Sequence, residues 1–182
     1  LYTFTVILTD ESGNEIEISR TKVGFRRFEL KNGIMCLNGK RIMLRSAISW
    51  SFWPVNGIFP SEELAERQIR IAKELGLNML NFHRFIGNTD VMNYADELGL
   101  LYFEEPGGFR LDVRQPFMNA VLHEKVVRMV KRDRSHPCLV IYIDLRVSRH
   151  RESIRQLEHI IGERSISTCV FIRQLGTVEI TD

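Results

Sequence analysis

Residues 61–83, SEELAERQIRIAKELGLNMLNFH, decide the fold class of this chain. Ser61 can cap a helix whose apolar side chains recur on one face, and Gly76 ends that helix. The positions that share the face are Leu64, Ile71, Ala72 and Leu75. A short apolar strand, residues 78–83, follows directly. A helix that leads into a buried strand is one repeat of an α/β protein, so we expect the same alternation in the neighbouring segments.

The alternation continues on both sides of this stretch. Residues 41–48 predict a strand before it, and the segments predicted after it are helix 90–98, strand 100–103, helix 116–134, strand 138–143, helix 151–161 and strand 166–172. Apolar strands that alternate with amphipathic helices indicate a parallel sheet covered by helices. No Gly-x-Gly-x-x-Gly segment or Walker loop follows a strand, so the sequence does not support a nucleotide-binding fold. The remaining prediction is a (β/α)8 barrel of the TIM type.

Chain length limits how much of a barrel this sequence encodes. A complete barrel needs roughly 250 residues, whereas residues 31–182 supply 152. That is enough for four or five βα units, so we expect a partial barrel, the first half, over 31–182. Residues 1–30 predict a β-hairpin that is the C-terminal end of a β-sandwich domain. Asn38-Gly39 predicts a type I′ turn between strands 34–37 and 41–44.

Composition excludes several classes of partner and site. The 25 basic and 23 acidic residues give a net charge of +2, which provides no electrostatic basis for nucleic-acid binding. The basic run of helix 116–134 indicates a solvated helix face. No apolar run approaches the roughly 18–20 residues of a membrane helix. Cys36, Cys138 and Cys169 are odd in number and lack metal-ligand spacing, so we expect buried free thiols, no metal site and no cofactor.

Six short motifs occur in an order that is specific as a set. They are Gly24-Phe25-Arg26, Leu37-Asn38-Gly39-Lys40, Leu44-Arg45-Ser46, Lys73-Glu-Leu-Gly-Leu-Asn78, Ala95-Asp-Glu-Leu-Gly-Leu100 and Arg134-Ser-His-Pro137. Over residues 1–142 the chain resembles glycoside hydrolase family 2, the group of the β-galactosidases, β-glucuronidases and β-mannosidases. The resemblance implies that residues 1–30 end an immunoglobulin-like sandwich and that a catalytic barrel follows. Residues 46–54 depart from the family's Arg-Gly-Val-Asn-His, which marks a divergent branch.

The resemblance also implies a reaction, the hydrolysis of terminal β-O-glycosidic bonds with retention, by two carboxylates about 5–5.5 Å apart. In the family the acid/base is the Glu of an Asn-Glu pair after barrel strand four, and that position falls here on Val147 or Ser148. Neither side chain can donate a proton as a carboxylic acid does. The nucleophile belongs to strand seven, beyond the half that this chain encodes. We therefore expect no catalytic carboxylate within these residues.

Candidate substrate-lining residues lie where the predicted strands end, because a barrel binds substrate at the carboxyl ends of its strands. The candidates are Arg45, Trp50, Trp53, His83, Arg84, Glu104, Glu105 and Asp144. Arg45 is expected to end the first strand, where a structural salt bridge is the alternative to sugar contact. The two Trp can stack on sugar rings, or pack within their loop. Glu104 and Glu105 are neighbours that point to opposite faces, so at most one faces the barrel mouth.

Three hypotheses about function follow. The first is a family 2-like glycoside hydrolase that acts on a carbohydrate substrate, a β-glycoside. The second is a truncated or degenerate homologue that binds carbohydrate without catalysis. The third is a structural half-barrel, in which the unpaired edge strand of an open sheet favours self-association. None of the three involves nucleic acid or a membrane.

Overall fold

The computed structural model describes residues 1–107, 116–144, 170–173 and 178–180. Val147, Ser148, Cys169 and the helix predicted over 151–161 lie outside these ranges. The described strands are β1 (Tyr2–Thr9), β2 (Glu15–Val23), β3 (Phe28–Lys31), β4 (Ile34–Leu37), β5 (Lys40–Arg41), β6 (Ser46–Ser49), β7 (Met79–Phe82), β8 (Leu101–Glu104), β9 (Leu139–Asp144), β10 (Val170–Arg173) and β11 (Val178–Ile180). The described helices are α1 (Glu62–Glu74), α2 (Thr89–Leu98) and α3 (Pro116–Asp133). Within the described part, no helix combines the length and apolarity needed to cross a membrane.

Six strands form one sheet, in the order β6-β7-β8-β9-β10-β11. The first five are parallel, and β11 is antiparallel to β10. Strands that neighbour one another in space are therefore neighbours in sequence, with α1, α2 and α3 in the connections between β6 and β9. Right-handed crossovers that all run in one direction place their helices on one face of a sheet. The predicted α/β class with a parallel sheet is confirmed, whereas the sequence pattern does not predict the antiparallel β11.

Apolar side chains join the three helices to one face of this sheet. The buried core there consists of Ala65, Ile69, Ala72, Leu80, Phe82, Val91, Met92, Ala95, Leu100, Tyr102, Val126, Met129, Val130, Cys138, Leu139 and Tyr142. At its centre the rings of Phe82 and Tyr102 stack, with centroids 4.1 Å apart. Side chains alternate along a strand, so Asn81, next to Phe82, points to the opposite face.

A small sheet, β3-β4-β5, packs on that opposite face. The core between the two sheets contains Phe28, Met79, Val140 and Ile141. Met79 is the first residue of β7, so the small sheet lies toward the amino ends of the parallel strands. Asn38 and Gly39 have φ of 52° and 77°, the left-handed pair that a type I′ turn requires, which confirms the predicted turn.

The hairpin of β1 and β2 is antiparallel, as predicted, and its side chains are almost all exposed. Two contacts attach the segment that follows it to the beginning of β9. Gly24 lies so close to Pro137 that a Cβ at Gly24 would come within 2.6 Å of the proline ring. Buried Arg26 donates a hydrogen bond to the carbonyl oxygen of Leu139. The Gly-Phe-Arg motif therefore has a packing role at the amino edge of the sheet.

The strand before α1 begins later than the sequence pattern indicates. Strand β6 covers Ser46–Ser49 rather than 41–48, so the prediction that Arg45 ends this strand is wrong. Arg45 precedes it, and its Nε donates a hydrogen bond to the Gly76 carbonyl at 2.6 Å. Its backbone N–H donates to Oδ1 of Asn78 at 2.8 Å. Because Asn78 immediately precedes β7, these bonds hold Arg45 at the amino edge of the sheet.

Candidate functional site

The carboxyl edge of the parallel sheet brings polar side chains from neighbouring strands together. Glu105 follows β8 directly and is only 5% exposed, whereas His83 follows β7. Glu105 Oε1 lies 3.1 Å from Nδ1 of His83. The two residues meet because β7 and β8 are parallel, with Phe82 opposite Glu104, so the residues after each strand reach the same edge. We call Trp50, Asn81, His83 and Glu105 the edge cluster.

The backbone N–H of Arg84 also binds the Glu105 carboxylate. Arg84 has φ of 57°, the left-handed conformation, which costs a residue with a Cβ roughly 1–2 kcal/mol. Its N–H donates a hydrogen bond to Glu105 Oε2 at 2.9 Å. Strained backbone persists where the surrounding contacts hold it. The Glu105 carboxylate is one such contact, so the turn after β7 and the residue after β8 fix one another.

Trp50 adds an aromatic surface to the edge cluster. Its ring meets the ring of His83 edge to face, with centroids 4.9 Å apart and planes at 83°. The indole is nevertheless 55% exposed. An aromatic pair of this geometry orients both rings. Trp50 therefore presents an oriented, accessible indole beside the imidazole that contacts Glu105, the kind of surface on which a sugar ring can stack.

Asn81 is a member of the edge cluster that the sequence analysis missed. It is buried on the face opposite the helices, and its Nδ2 lies 3.4 Å from Glu105 Oε1. Its Oδ1 is buried and accepts no hydrogen bond from the described residues. Buried polar atoms are nearly always paired with protein or with water. The sequence does indicate a role for Asn81, because an amide side chain within the apolar run 79–82 requires a hydrogen-bond partner when it is buried.

Glu104 faces the helices instead of the edge cluster. Its Oε1 accepts a hydrogen bond from the Gly87 N–H at 2.6 Å, and the Arg132 guanidinium lies 3.7 Å from the same oxygen. Burial first, and the neighbouring Asp133 carboxylate second, raise the pKa of Glu104 well above its ordinary range. Only one of the two neighbouring glutamates, Glu105, therefore joins the edge cluster, in agreement with the alternation that the sequence predicts.

Arg132 departs from the solvated basic face expected for helix α3. Its guanidinium binds the fully buried Asp133 carboxylate at 2.5 and 2.7 Å and donates to the Gly87 carbonyl at 2.7 Å. The hydrogen bond and charge of the Asp133 carboxylate first, and the charge of the nearby Glu104 carboxylate after it, raise the pKa of Arg132. The sequence pattern could not show this, because a charged residue at the end of a helix is usually solvated.

A polar network holds the first parallel strand against helix α1. Gln68 Nε2 donates to Ser49 Oγ at 2.6 Å and lies 3.1 Å from the hydroxyl of Tyr102. Burial raises the pKa of Tyr102, so its hydroxyl stays protonated at neutral pH. Ser49 directly precedes Trp50, and the network therefore fixes the point from which Trp50 enters the edge cluster.

The remaining candidates lie in other places. Trp53 is half-buried and packs against the helix-side core, and its backbone pairs with Gly57 at 2.7 and 2.9 Å. Arg45 lies at the amino edge, as described above. Asp144 is the last residue of β9, at the same edge as the cluster. The structure thus brings Trp50, His83 and Glu105 together and separates them from Trp53 and Arg45.

The chemistry of the edge cluster is that of binding. Retaining hydrolysis needs two carboxyl groups that flank one bond, and Glu104 and Glu105 lie on opposite faces of the sheet. A carboxylate, an imidazole and an exposed indole can instead accept, donate and stack against one polyhydroxylated ring. Among the described residues, the side chains whose donor atoms suit a metal ion are Asp96, His136 and Cys138, which lie at the amino edge of the sheet.

The sequence of this chain is similar to those of known proteins. No family model matches it. The β-galactosidase of Pectobacterium atrosepticum is 30% identical over an alignment of 149 residues, which covers 78% of this chain and 14% of that protein. The β-galactosidase of Halalkalibacterium halodurans is 29% identical over an alignment of 179 positions, gaps included, which covers 85% of this chain and 18% of that protein. The chain therefore spans less than a fifth of the length of these relatives.

Solved structures of other proteins contain a region with the same fold as this chain. A β-glucuronidase from Ruminococcus gnavus in complex with D-glucuronic acid has a TM-score of 0.76 and 18% identity, over 93% of this chain and 30% of that one. A glycosyl hydrolase family 2 member from Bacteroides cellulosilyticus has a TM-score of 0.71 and 19% identity, over 94% and 23%. The solved structures therefore show the fold of this chain, and the relatives at 29–30% identity are named β-galactosidases.

Proposed function

Because the chain is related to the glycoside hydrolase family 2 enzymes, we propose that it forms the first half of a (β/α)8 catalytic barrel over 31–182. The sequential order of five parallel strands, with helices on one face, supports this arrangement. A doubly wound sheet would instead reverse its strand order. The hairpin before it is proposed to end an immunoglobulin-like sandwich, with the division near residue 30, inside β3.

The proposed activity is hydrolysis of terminal β-O-glycosidic bonds with retention, carried out by the complete enzyme. This chain supplies residues that bind the sugar in the active site of the complete enzyme. The observation that carries the proposal is the edge cluster, in which His83 and Arg84 contact the Glu105 carboxylate and the exposed indole of Trp50 packs against His83. The catalytic acid/base position falls on Val147 or Ser148, so catalysis requires carboxylates from outside this chain.

Each member of the cluster has a distinct role in binding. The Glu105 carboxylate accepts hydrogen bonds from sugar hydroxyls, and such bonds to a charged group are the stronger kind. His83 uses Nδ1 toward Glu105, so Nε2 is the nitrogen that reaches a hydroxyl. Trp50 stacks on the apolar face of the ring. Arg84 follows β7 and Asp144 ends β9, so both residues lie at the same edge of the sheet as the cluster.

The experiment is a paired assay of this chain with nitrophenyl β-D-galactoside and nitrophenyl β-D-glucuronide. We expect saturable binding of at least one, no release of nitrophenol, and at least about tenfold weaker binding by Glu105→Gln. Arg45→Ala is the matched control, because Arg45 lies at the amino edge and should leave affinity unchanged. A folded chain that binds neither glycoside contradicts the proposal, and turnover would place catalytic carboxylates within these residues.

One observation favours a second candidate, a structural half-barrel that associates with itself. Strand β6 is an edge of the sheet, and Ser46, Ala47 and Ile48 are exposed. Edge strands of this kind pair readily with other strands. A defined dimer that light scattering detects, and that Ala47→Pro dissociates without loss of fold, would support this candidate. A chain that stays monomeric at high concentration would exclude it.

A further inference from the structure

A second group of functional side chains lies at the amino edge of the sheet, on the side opposite the edge cluster. Asp96 belongs to α2, His136 follows α3, and Cys138 immediately precedes β9. One donor atom from each residue lies within 4.8 Å of the other two. Helix α2 and the loop between α3 and β9 therefore bring a carboxylate, an imidazole and a thiol to one point, although Asp96 lies 40 residues before His136 in the sequence.

We propose that Asp96, His136 and Cys138 form a zinc-binding site. Carboxylate oxygen, imidazole nitrogen and thiolate sulfur are the three kinds of ligand that proteins use for Zn²⁺. Three protein ligands leave the fourth tetrahedral position to water. A hard cation such as Mg²⁺ is disfavoured, because it prefers oxygen ligands alone.

The geometry of the pair Asp96 and His136 suits insertion of the ion. Asp96 Oδ2 lies 2.6 Å from Nδ1 of His136. Zinc bonds of about 2.0–2.1 Å at tetrahedral angles separate two such ligands by about 3.3 Å. The two atoms therefore need to move apart by less than 1 Å when the ion takes the place of the proton between them.

Hydrogen bonds and packing around Asp96, His136 and Cys138 orient these three side chains. The other oxygen of Asp96, Oδ1, accepts a hydrogen bond from the Cys138 N–H at 2.7 Å. The Cys138 thiol contacts the carbonyl of Met92 at 3.7 Å, and binding as a thiolate releases its proton to solvent. Pro137, between two of the ligands, packs against Gly24. Outer contacts of this kind fix ligand orientation at metal sites.

The site is buried but can be reached from solvent. The side chains of Asp96 and His136 are 9% and 13% exposed, and Cys138 is buried. Asp96 and His136 line a surface cavity of about 570 Å³, together with Asn93 and Ser135. A metal ion and its water can enter from this cavity, and the bound ion would join α2, the end of α3 and β9.

The test begins with Zn²⁺ titration of the metal-free full chain against a chromophoric chelator. We expect one Zn²⁺ per chain, and a Co²⁺-loaded sample that shows thiolate-to-cobalt charge-transfer absorption. Asp96→Asn is the informative variant, because an amide oxygen still accepts from the Cys138 N–H while the anionic ligand is lost. Its affinity should fall by more than the ~10–100-fold that loss of an outer-shell partner costs.

Cysteine variants provide the matched controls. Cys138→Ala should abolish the cobalt–thiolate band, whereas Cys36→Ala, which truncates another buried free cysteine, should retain it. Cys169→Ala should retain it as well. Absence of stoichiometric Zn²⁺ binding, or a band that survives Cys138→Ala, would overturn the proposal. If the variants fail to fold, the unaltered chain still decides, because Co²⁺ without a thiolate band excludes Cys138 as a ligand.

Discussion

Nδ1 of His83 lies 3.1 Å from Oε1 of Glu105, across two neighbouring parallel strands. The contact depends on the register of β7 and β8, because each residue follows the last residue of its own strand. It leaves the imidazole and the carboxylate side by side at the carboxyl edge, with Trp50 against the imidazole. The proposed sugar-binding role rests on this arrangement, and the first two predictions test it.

Glu105→Gln should weaken glycoside binding by about 10–100-fold, since hydrogen bonds to a charged group contribute about 1.5–3 kcal/mol. Glutamine keeps the volume, and its amide oxygen still accepts a hydrogen bond from the Arg84 N–H. The melting temperature should therefore change little. Isothermal titration calorimetry with methyl β-D-galactopyranoside and methyl β-D-glucuronide measures the affinity. Glu97→Gln, near the C-terminal end of α2 and paired with Lys22 away from the edge cluster, is the control, and equal losses in both variants would refute a local role for Glu105.

The two tryptophans should separate binding from stability. Trp50 is 55% exposed, so Trp50→Ala should lower glycoside affinity while the free energy of unfolding stays nearly constant. Trp53 packs against the helix-side core, so Trp53→Ala should lower the free energy of unfolding by about 2 kcal/mol or more. Urea unfolding and glycoside titration of both variants provide the measurement. The reverse pattern would mean that Trp53, not Trp50, contacts the sugar.

Glu104 should make stability depend on pH. Its folded pKa lies above the unfolded value of about 4.3. The folded chain therefore holds the proton more tightly, and the free energy of unfolding falls as pH rises from about 4.3 through the folded pKa. Glu104→Gln cannot lose a proton, so its melting temperature should exceed that of the unaltered chain at pH 8 and approach it near pH 4.

The control for this prediction is Glu124→Gln. Glu124 is exposed, and its hydrogen bond and ion pair with Arg128 lower its pKa, so its contribution is present at high pH and lost in acid. Surface ion pairs of this kind contribute little. The melting temperature of Glu124→Gln, relative to that of the unaltered chain, should therefore change little between pH 4 and pH 8. This small change should have the opposite sign to that of Glu104→Gln. A Glu104→Gln variant that is destabilised at pH 8 would show that the buried carboxyl is ionised and stabilising.

Gly87 should tolerate no side chain. A Cβ at this position would lie 2.5 Å from the ring of Phe82, which stacks on Tyr102 in the core. Gly87→Ala must shift that ring or the Gly87 N–H that binds Glu104, so the free energy of unfolding should fall by about 1–3 kcal/mol. Thr89→Ala, exposed and nearby, is the control. Denaturant unfolding of both variants checks the prediction, and equal stability would mean that the Phe82 ring can move freely.

Local patterns in the sequence predicted most of the elements. Ser61 caps α1 by accepting a hydrogen bond from the Leu64 N–H, and Gly99 ends α2 in the left-handed conformation, which are the residue types that favour these two positions. The order of strand and helix then allowed only a parallel sheet. These features depend on neighbours a few residues apart, which is why one sequence suffices to predict them.

Other features depend on contacts between distant residues. Arg45 was expected to end a strand, but Asn78, 33 residues away, binds it before that strand begins. The basic run predicts a solvated face for Arg132, but the strand that carries Glu104 packs beside it. The Asp96, His136 and Cys138 group spans 42 residues and has no sequence spacing that indicates it. Such contacts are set by tertiary packing, which local patterns do not specify.

The most direct test of the proposed sugar-binding role is protein-observed NMR of this chain during titration with methyl β-D-galactopyranoside and methyl β-D-glucuronide. Trp50→Phe and Trp53→Phe assign the two indole N–H signals. We predict that the Trp50 indole and the His83 ring signals shift along one saturable curve with at least one sugar, while the Trp53 indole stays in place. A folded chain in which neither Trp50 nor His83 responds to either sugar would contradict the account.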